Sequence, residues 1–235
     1  MTTFLLNETT ALDAGALTLS LSIAEQRRID RVLVTHAHFD HVATLPFLFE
    51  NVFGRRKPIE IAAPPAVLSA LDRHLFNDAL WPDFTRLPSR RRPTARLRPI
   101  APGRGYRAAG LVFRPVPVDH IVPTFGYLVS DGRRSVLFSG DTAPTTALWK
   151  LADAADDLAA IFLEVSFANA QEAIARASKH LIPRQLEAEI GKTSRDVPVY
   201  LYHMKPPSEA AIRREVRALK NPRFRFVEQD QVLVF

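Results

Sequence analysis

IDRVLVTHAHFDH, residues 29–41, decides the reading of this chain. Within its first seven residues Ile29 and the run Val32–Thr35 are apolar or β-branched, the pattern of a buried strand. The run feeds directly into His36, His38, Asp40 and His41, so three of the seven histidines stand within six residues. A solvated polar loop needs no buried strand behind it, whereas a metal site does. The i, i+2 spacing of His36 and His38 is not the helical i, i+4 spacing of a zinc-protease pair. It suits an extended loop that turns successive groups toward two ions. Imidazole and carboxylate donors fit zinc, manganese or iron.

Outward from this stretch, strands and helices alternate. Strand signals lie at 10–14, 29–35, 59–62, 111–118, 125–130, 135–139, 160–165 and 197–203, and two short strands are expected to close the chain. Helix patterns lie at 16–26, 40–49, 66–76, 145–152, 169–177, 183–190 and 208–219, with Pro46 an obstacle inside the second. Residues 87–110 hold four prolines, three glycines and most of a run of arginines, and are expected to be an irregular excursion. No stretch has the composition of a domain linker, so residues 1–235 are expected to form one layered α/β domain.

The 235 residues suffice for a full core, and the chain is 47% hydrophobic and 24% charged, as soluble proteins are. With no cysteine, disulfide scaffolds, thiol nucleophiles, cysteine–zinc sites and iron–sulfur clusters are excluded. The formal charge of +6 arises from one segment: residues 86–107 carry eight arginines and no Asp or Glu. That segment reads as a solvated loop, an anion-steering rim or an RNA-binding surface. No signal peptide and no run of about 18 apolar residues is present, so a cytoplasmic protein without membrane contact is expected.

Further ligand-type residues follow predicted strands: His120 after 111–118, Asp141 after 135–139, and His203 at the end of 197–203. Strand ends on one sheet edge can converge on one pocket. His180, between two helices, is either a packing residue or a proton donor, and Glu164 stands at the end of another strand. His74 reads as a residue of an amphipathic helix. Trp81 and Phe84 are either base-stacking or core aromatics. Asp13, Gly15 and Gly140 read as turn chemistry, and Lys205 as a solvated lysine or a phosphate contact.

His-x-His-x-Asp-His after a hydrophobic strand resembles the signature of the metallo-β-lactamase superfamily, and His120, Asp141 and His203 match its remaining ligand positions in order. The resemblance implies a four-layer αβ/βα sandwich holding two divalent ions, zinc first, with manganese or iron as alternatives. It implies that His36, His38 and His120 hold one ion and Asp40, His41 and His203 the other, with Asp141 bridging. Narrower stretches, 35–41 (THAHFDH), 74–84 (HLFNDALWPDF), 139–149 (SGDTAPTTALW), 164–169 (EVSFAN), 179–182 (KHLI) and 202–206 (YHMKP), resemble the class II cyclic-nucleotide phosphodiesterases. The chain departs from that pattern in a short N-terminal lead-in, in Ala43-Thr44 where a small–Gly pair is common, and in its heavy arginine content.

What the resemblance implies is hydrolysis of 3′,5′-cyclic AMP or GMP to the 5′-monophosphate, by in-line attack of activated water on phosphorus. Asp40 would serve as ligand and proton carrier, His180 would protonate the leaving oxygen, and Glu164 would orient His180 or a metal ligand. A small cyclic nucleotide is the expected partner, with a homodimer as a further expectation. The alternative is an RNA nuclease like the tRNA 3′-processing enzymes of the same superfamily, or a non-catalytic RNA-binding protein retaining the fold. Those enzymes often carry an RNA-grasping arm between the counterparts of His120 and Asp141. Only 20 residues separate the two here, which disfavours it.

Overall fold

Val32, Leu33 and Val34 are fully buried, and their strand has a hydrogen-bonded neighbour on each edge. The computed structural model describes all 235 residues, which divide into two compact units, Met1–Ala101 and Pro102–Phe235.

In the first unit, β1 (Phe4–Asn7), β2 (Thr10–Leu12), β3 (Arg31–Leu33), β4 (Ile59–Ala63) and β7 (Ala95–Pro99) form one sheet in that order. β1 and β2 make an antiparallel hairpin, while β2, β3, β4 and β7 run parallel. A separate two-stranded ribbon joins β5 (Pro88–Ser89) to β6 (Arg92–Pro93). Five helices accompany the sheet: α1 (Leu17–Ser20), α2 (Ile23–Gln26), α3 (Phe39–Val42), α4 (Leu45–Asn51) and α5 (Pro65–His74). Leu45, Leu48, Phe49, Ile59, Ile61 and Phe76 are fully buried in this unit.

In the second unit, seven strands lie in the order β14-β13-β12-β11-β10-β9-β8. They are β8 (Tyr106–Ala108), β9 (Leu111–Val118), β10 (Thr124–Ser130), β11 (Ser135–Phe138), β12 (Leu158–Glu164), β13 (Val199–Tyr202) and β14 (Phe224–Phe226). β8 to β11 form an antiparallel meander. β11 to β14 are parallel, which requires helical crossovers. These are α6 (Ala147–Asp153), α7 (Glu172–Ser178) with α8 (Leu186–Ile190), and α9 (Glu209–Ala218). Leu137, Trp149, Ile161, Leu163, Leu201 and Ile212 lie in one buried cluster.

Strand direction places the chemistry. β9 runs the same way as β11, because each is antiparallel to β10. The C-terminal ends of β9, β11, β12 and β13 therefore share one edge, and they lead to His120, Asp141, Glu164 and His203. In the first unit the C-terminal ends of β2 and β3 share an edge and lead to Asp13 and His36. Ligands of parallel sheets gather at this edge.

Several expectations are corrected. The expected helix over 16–26 is two short helices, because Ser22 caps a new one: its hydroxyl accepts from the Glu25 amide and the Glu25 carboxylate accepts from the Ser22 amide. The helix over 40–49 likewise breaks, and α4 restarts with Pro46 in its first turn, where the missing amide is tolerated. The 87–110 excursion is not irregular throughout: its residues supply β5 to β8. β7 is held by the parallel ladder to β4, a pairing that the Pro and Arg content concealed. One closing strand, β14, stands where two were expected. No helix is long and apolar enough to cross a membrane.

Ile161 is fully buried at the centre of the seven-stranded sheet. Ile161→Ala is expected to lower unfolding free energy by about 2–5 kcal/mol in urea titrations followed by circular dichroism.

Candidate functional site

The histidine loop of the first unit is held by Asp13. This residue stands just beyond β2 with φ 59° and is buried. Its carboxylate accepts from the Thr35 amide at 2.8 Å, from the Thr35 hydroxyl, and from His41 Nδ1 at 2.7 Å. A carboxylate only accepts, so Nδ1 of His41 carries the proton and Nε2 keeps its lone pair for a metal. The Thr35 oxygen also lies 3.0 Å from His36 Nδ1. The rings of His36 and His38 are 4.6 Å apart, and those of His36 and His41 4.2 Å apart. His36 and His41 are buried, and His38 and Asp40 are half-buried.

The backbone is clamped as well. The Asp40 carbonyl accepts from the Thr2 amide, and the His41 carbonyl from the Ala14 amide. A Cβ at position 15 would sit 1.9 Å from the Asp40 carbonyl oxygen, so only glycine fits beside the loop. Thr44, at one of the departures from the family pattern, donates its hydroxyl to the Ala14 carbonyl at 2.6 Å. It adds a tie that a glycine there could not make.

The second unit gathers His120, Asp141, His180 and His203. Ligand atoms of Asp141, His180 and His203 lie within 4.8 Å of one another, a grouping that could hold a metal ion. His203 Nε2 is 3.1 Å from Asp141 Oδ2 and 2.9 Å from Lys205 Nζ. His120 Nδ1 donates to the Lys179 carbonyl at 3.1 Å, which leaves Nε2 as the ligand atom. Glu164 is fully buried and organises the rest. Its carboxylate accepts from His180 Nδ1 at 2.7 Å, from the Thr142 amide at 3.0 Å and from the Ser166 hydroxyl at 2.9 Å. Burial disfavours a charged His180, but the Glu164 carboxylate more than reverses this through its charge and its hydrogen bond. Asp141 adds to the raise, Lys205 opposes it, and the net effect lifts the pKa above the ordinary histidine value.

Each unit thus collects its own share of the expected residues: His36, His38, Asp40 and His41 in the first, and His120, Asp141, Glu164, His180 and His203 in the second. All metal donors are imidazole or carboxylate, a set suited to zinc, manganese or iron. His74 belongs to neither group and ends α5 in solvent. Phe84 is a core aromatic, buried against Phe49 and Phe53, and does not offer a base-stacking face. Trp81 packs on Phe47. Sequence reasoning missed Thr35 and Ser166, since no spacing marks a hydroxyl as a ligand's support. It read Asp13 as turn chemistry alone, although a buried acid at a strand end beside a His-rich strand is a signal.

His180 favours its protonated form in the folded chain. Its contribution to stability is therefore present below the unfolded pKa and is lost as pH rises through the higher folded value. Glu164→Gln removes the carboxylate charge, and the His180 pKa is expected to fall. Imidazole chemical shifts of the metal-free protein followed against pH test this, and an unmoved titration would contradict the assigned cause.

A family model described as the Beta-lactamase superfamily domain matches residues 10–218. Ribonuclease Z of Mycobacterium sp. (strain KMS) is 31% identical over 144 residues, covering 55% of this chain and 49% of that protein. The chain spans about half the length of the curated relatives it matches. Unliganded yeast PDE1 aligns with a TM-score of 0.74 at 21% identity, covering 88% of this chain and 70% of that one. The short form of human tRNase Z aligns with a TM-score of 0.60 at 19% identity, covering 87% and 85%. At these identities the two structures show a shared fold. Taken with the match over residues 10–218, they establish that this chain belongs to the β-lactamase superfamily and has the α/β metallo-β-lactamase fold.

Proposed function

We propose that this protein is a metal-dependent phosphodiesterase that hydrolyses 3′,5′-cyclic nucleotides to 5′-monophosphates. One observation carries the reading: a buried carboxylate, Glu164, accepts from His180 Nδ1 at 2.7 Å beside Asp141 and His203. Hydrolysis of a phosphodiester expels an alkoxide, a poor leaving group that needs a proton. A histidine backed by a carboxylate, which favours its protonated form, can supply one. Cleavage of a thioester or lactone asks less of such a donor and of phosphate-directed cations.

His36, His38 and His120 would hold one ion, Asp40, His41 and His203 the other, and Asp141 would contribute to both. When bound, two divalent ions lower the pKa of water toward neutrality and neutralise phosphate charge. The chain's own residues do the rest. Asp13 and the Lys179 carbonyl fix the tautomers of His41 and His120. Glu164 and Ser166 hold the His180 ring, and His180 passes its proton to the departing 3′-oxygen. Asp40 carries the proton released by the attacking water.

The cyclic-nucleotide reading is supported by the six stretches quoted above and by the fold shared with yeast PDE1. A second reading, RNA cleavage, is favoured by the identity to mycobacterial ribonuclease Z. Both displace a ribose oxygen in line and differ in the size of substrate.

Metal-loaded protein is expected to convert 3′,5′-cyclic AMP to 5′-AMP, resolved by chromatography. Asp141→Ala should reduce the rate by more than about 100-fold, beyond the loss that follows removal of residues that merely orient ligands. His180→Ala should cost about 10²–10⁴-fold in kcat with zinc content unchanged. Cleavage of a 3′-extended oligoribonucleotide in place of cyclic AMP and GMP would select the second reading. RNA affinity with sub-stoichiometric metal would select a non-catalytic role.

A further inference from the structure

Lys179 closes α7 in the left-handed conformation, φ 56° and ψ 58°, a region non-glycine residues seldom occupy. The turn is a helix-ending motif in which the His180 amide donates to the Ala175 carbonyl at 2.9 Å and the Lys179 amide to the Arg176 carbonyl. This turn aims two groups at once. The Lys179 carbonyl accepts from Nδ1 of His120, and the next side chain, His180, lies on Glu164. The two imidazole rings are 4.9 Å apart. Rotation of the peptide joining residues 179 and 180 would disturb both contacts together. A second tie runs through the side chain, with Lys179 Nζ 2.7 Å from Asp119, the neighbour of His120. Both partners of that ion pair are substantially exposed, so it orients more than it stabilises.

We infer that Lys179 is a positioning residue that sets a metal-ligating imidazole and a proton-donating imidazole in mutual register through one left-handed peptide. Its carbonyl fixes the His120 tautomer so that Nε2 faces the metal, and its dihedral angles deliver His180 to Glu164. The inference rests on the roles proposed above for His120 and His180. A glycine here would keep the carbonyl in place without backbone cost, whereas a β-branched residue would resist the conformation and swing the carbonyl away.

The test compares Lys179→Gly, Lys179→Val and Asp119→Ala, each in the full chain. Zinc affinity is measured by competition with a chromophoric chelator. The His120 tautomer is read from imidazole ¹⁵N shifts of the metal-free protein. K179V is expected to weaken zinc about tenfold or more, the range for lost outer contacts of metal ligands, and to shift the His120 tautomer. K179G is expected to stay within about twofold of the parent on both readouts. D119A, which leaves the left-handed residue in place, should weaken zinc less than K179V and serves as the second arm if K179V does not fold. A K179V protein that loses only thermal stability, with tautomer and zinc affinity intact, would overturn the inference. So would a K179G protein with a shifted tautomer, or D119A weakening zinc as strongly as a ligand substitution. If the parent protein binds no zinc, the reading of the centre fails, and the ¹⁵N shifts of K179V and K179G still decide the role of Lys179.

Discussion

The carboxylate of Asp13 is buried at the end of β2 with no cation beside it in the first unit, and the histidine loop hangs from it. Burying such a charge is costly unless hydrogen bonds replace the lost water. Here an amide, a hydroxyl and an imidazole do so, and all three donors belong to Thr35 and His41. In the conformation that satisfies the carboxylate, His41 keeps Nε2 as its ligating nitrogen. Glu164 does the same work in the second unit, where it is satisfied by Thr142, Ser166 and His180. Each unit therefore carries a buried carboxylate that is not itself a ligand and that orients an imidazole: His41 in the first, His180 in the second.

The two carboxylates differ in what they leave behind. Asp13 acts on a histidine expected to be a ligand, so the shared proton serves to fix a tautomer. Glu164 acts on a histidine whose pKa it raises, which suits the role of proton donor proposed for it. One interaction, carboxylate to Nδ1, yields a ligand in one place and an acid in the other. Both rings lie beside other imidazoles, but His180 also has Asp141 near enough to add to the raise in its pKa.

Much of this was legible in the sequence, for physical reasons. A two-faced buried strand announces itself by composition, and ligands recognised by residue type and by their place after strands needed no long-range information. The helix breaks at Ser22 and near Pro46 were local facts that periodicity overrode. The pairing of β7 with β4 was not legible, because a strand whose alternate residues are Arg96 and Arg98 resembles a loop until its partner is known. The supporting roles of Thr35, Ser166 and Lys179 depend on contacts across 14 to 59 positions or on a single backbone dihedral, and composition carries neither.

The placement of β7 gives part of the arginine run a meaning unrelated to substrates. β7 is the terminal strand of its sheet, bonded to β4 on one side. Apart from the Ala95 amide, which donates to the Phe84 carbonyl, its other side pairs with no strand and would be open to one that approached, including the same strand of another molecule. Arg96 and Arg98 are exposed on alternate positions, and Pro99 ends the strand. Two such edges meeting would set guanidinium against guanidinium, with no acidic residue among residues 86–107 to relieve the repulsion. The arginines that look like an invitation to nucleic acid are thus also the kind of charge that disfavours edge-to-edge pairing at an open sheet margin.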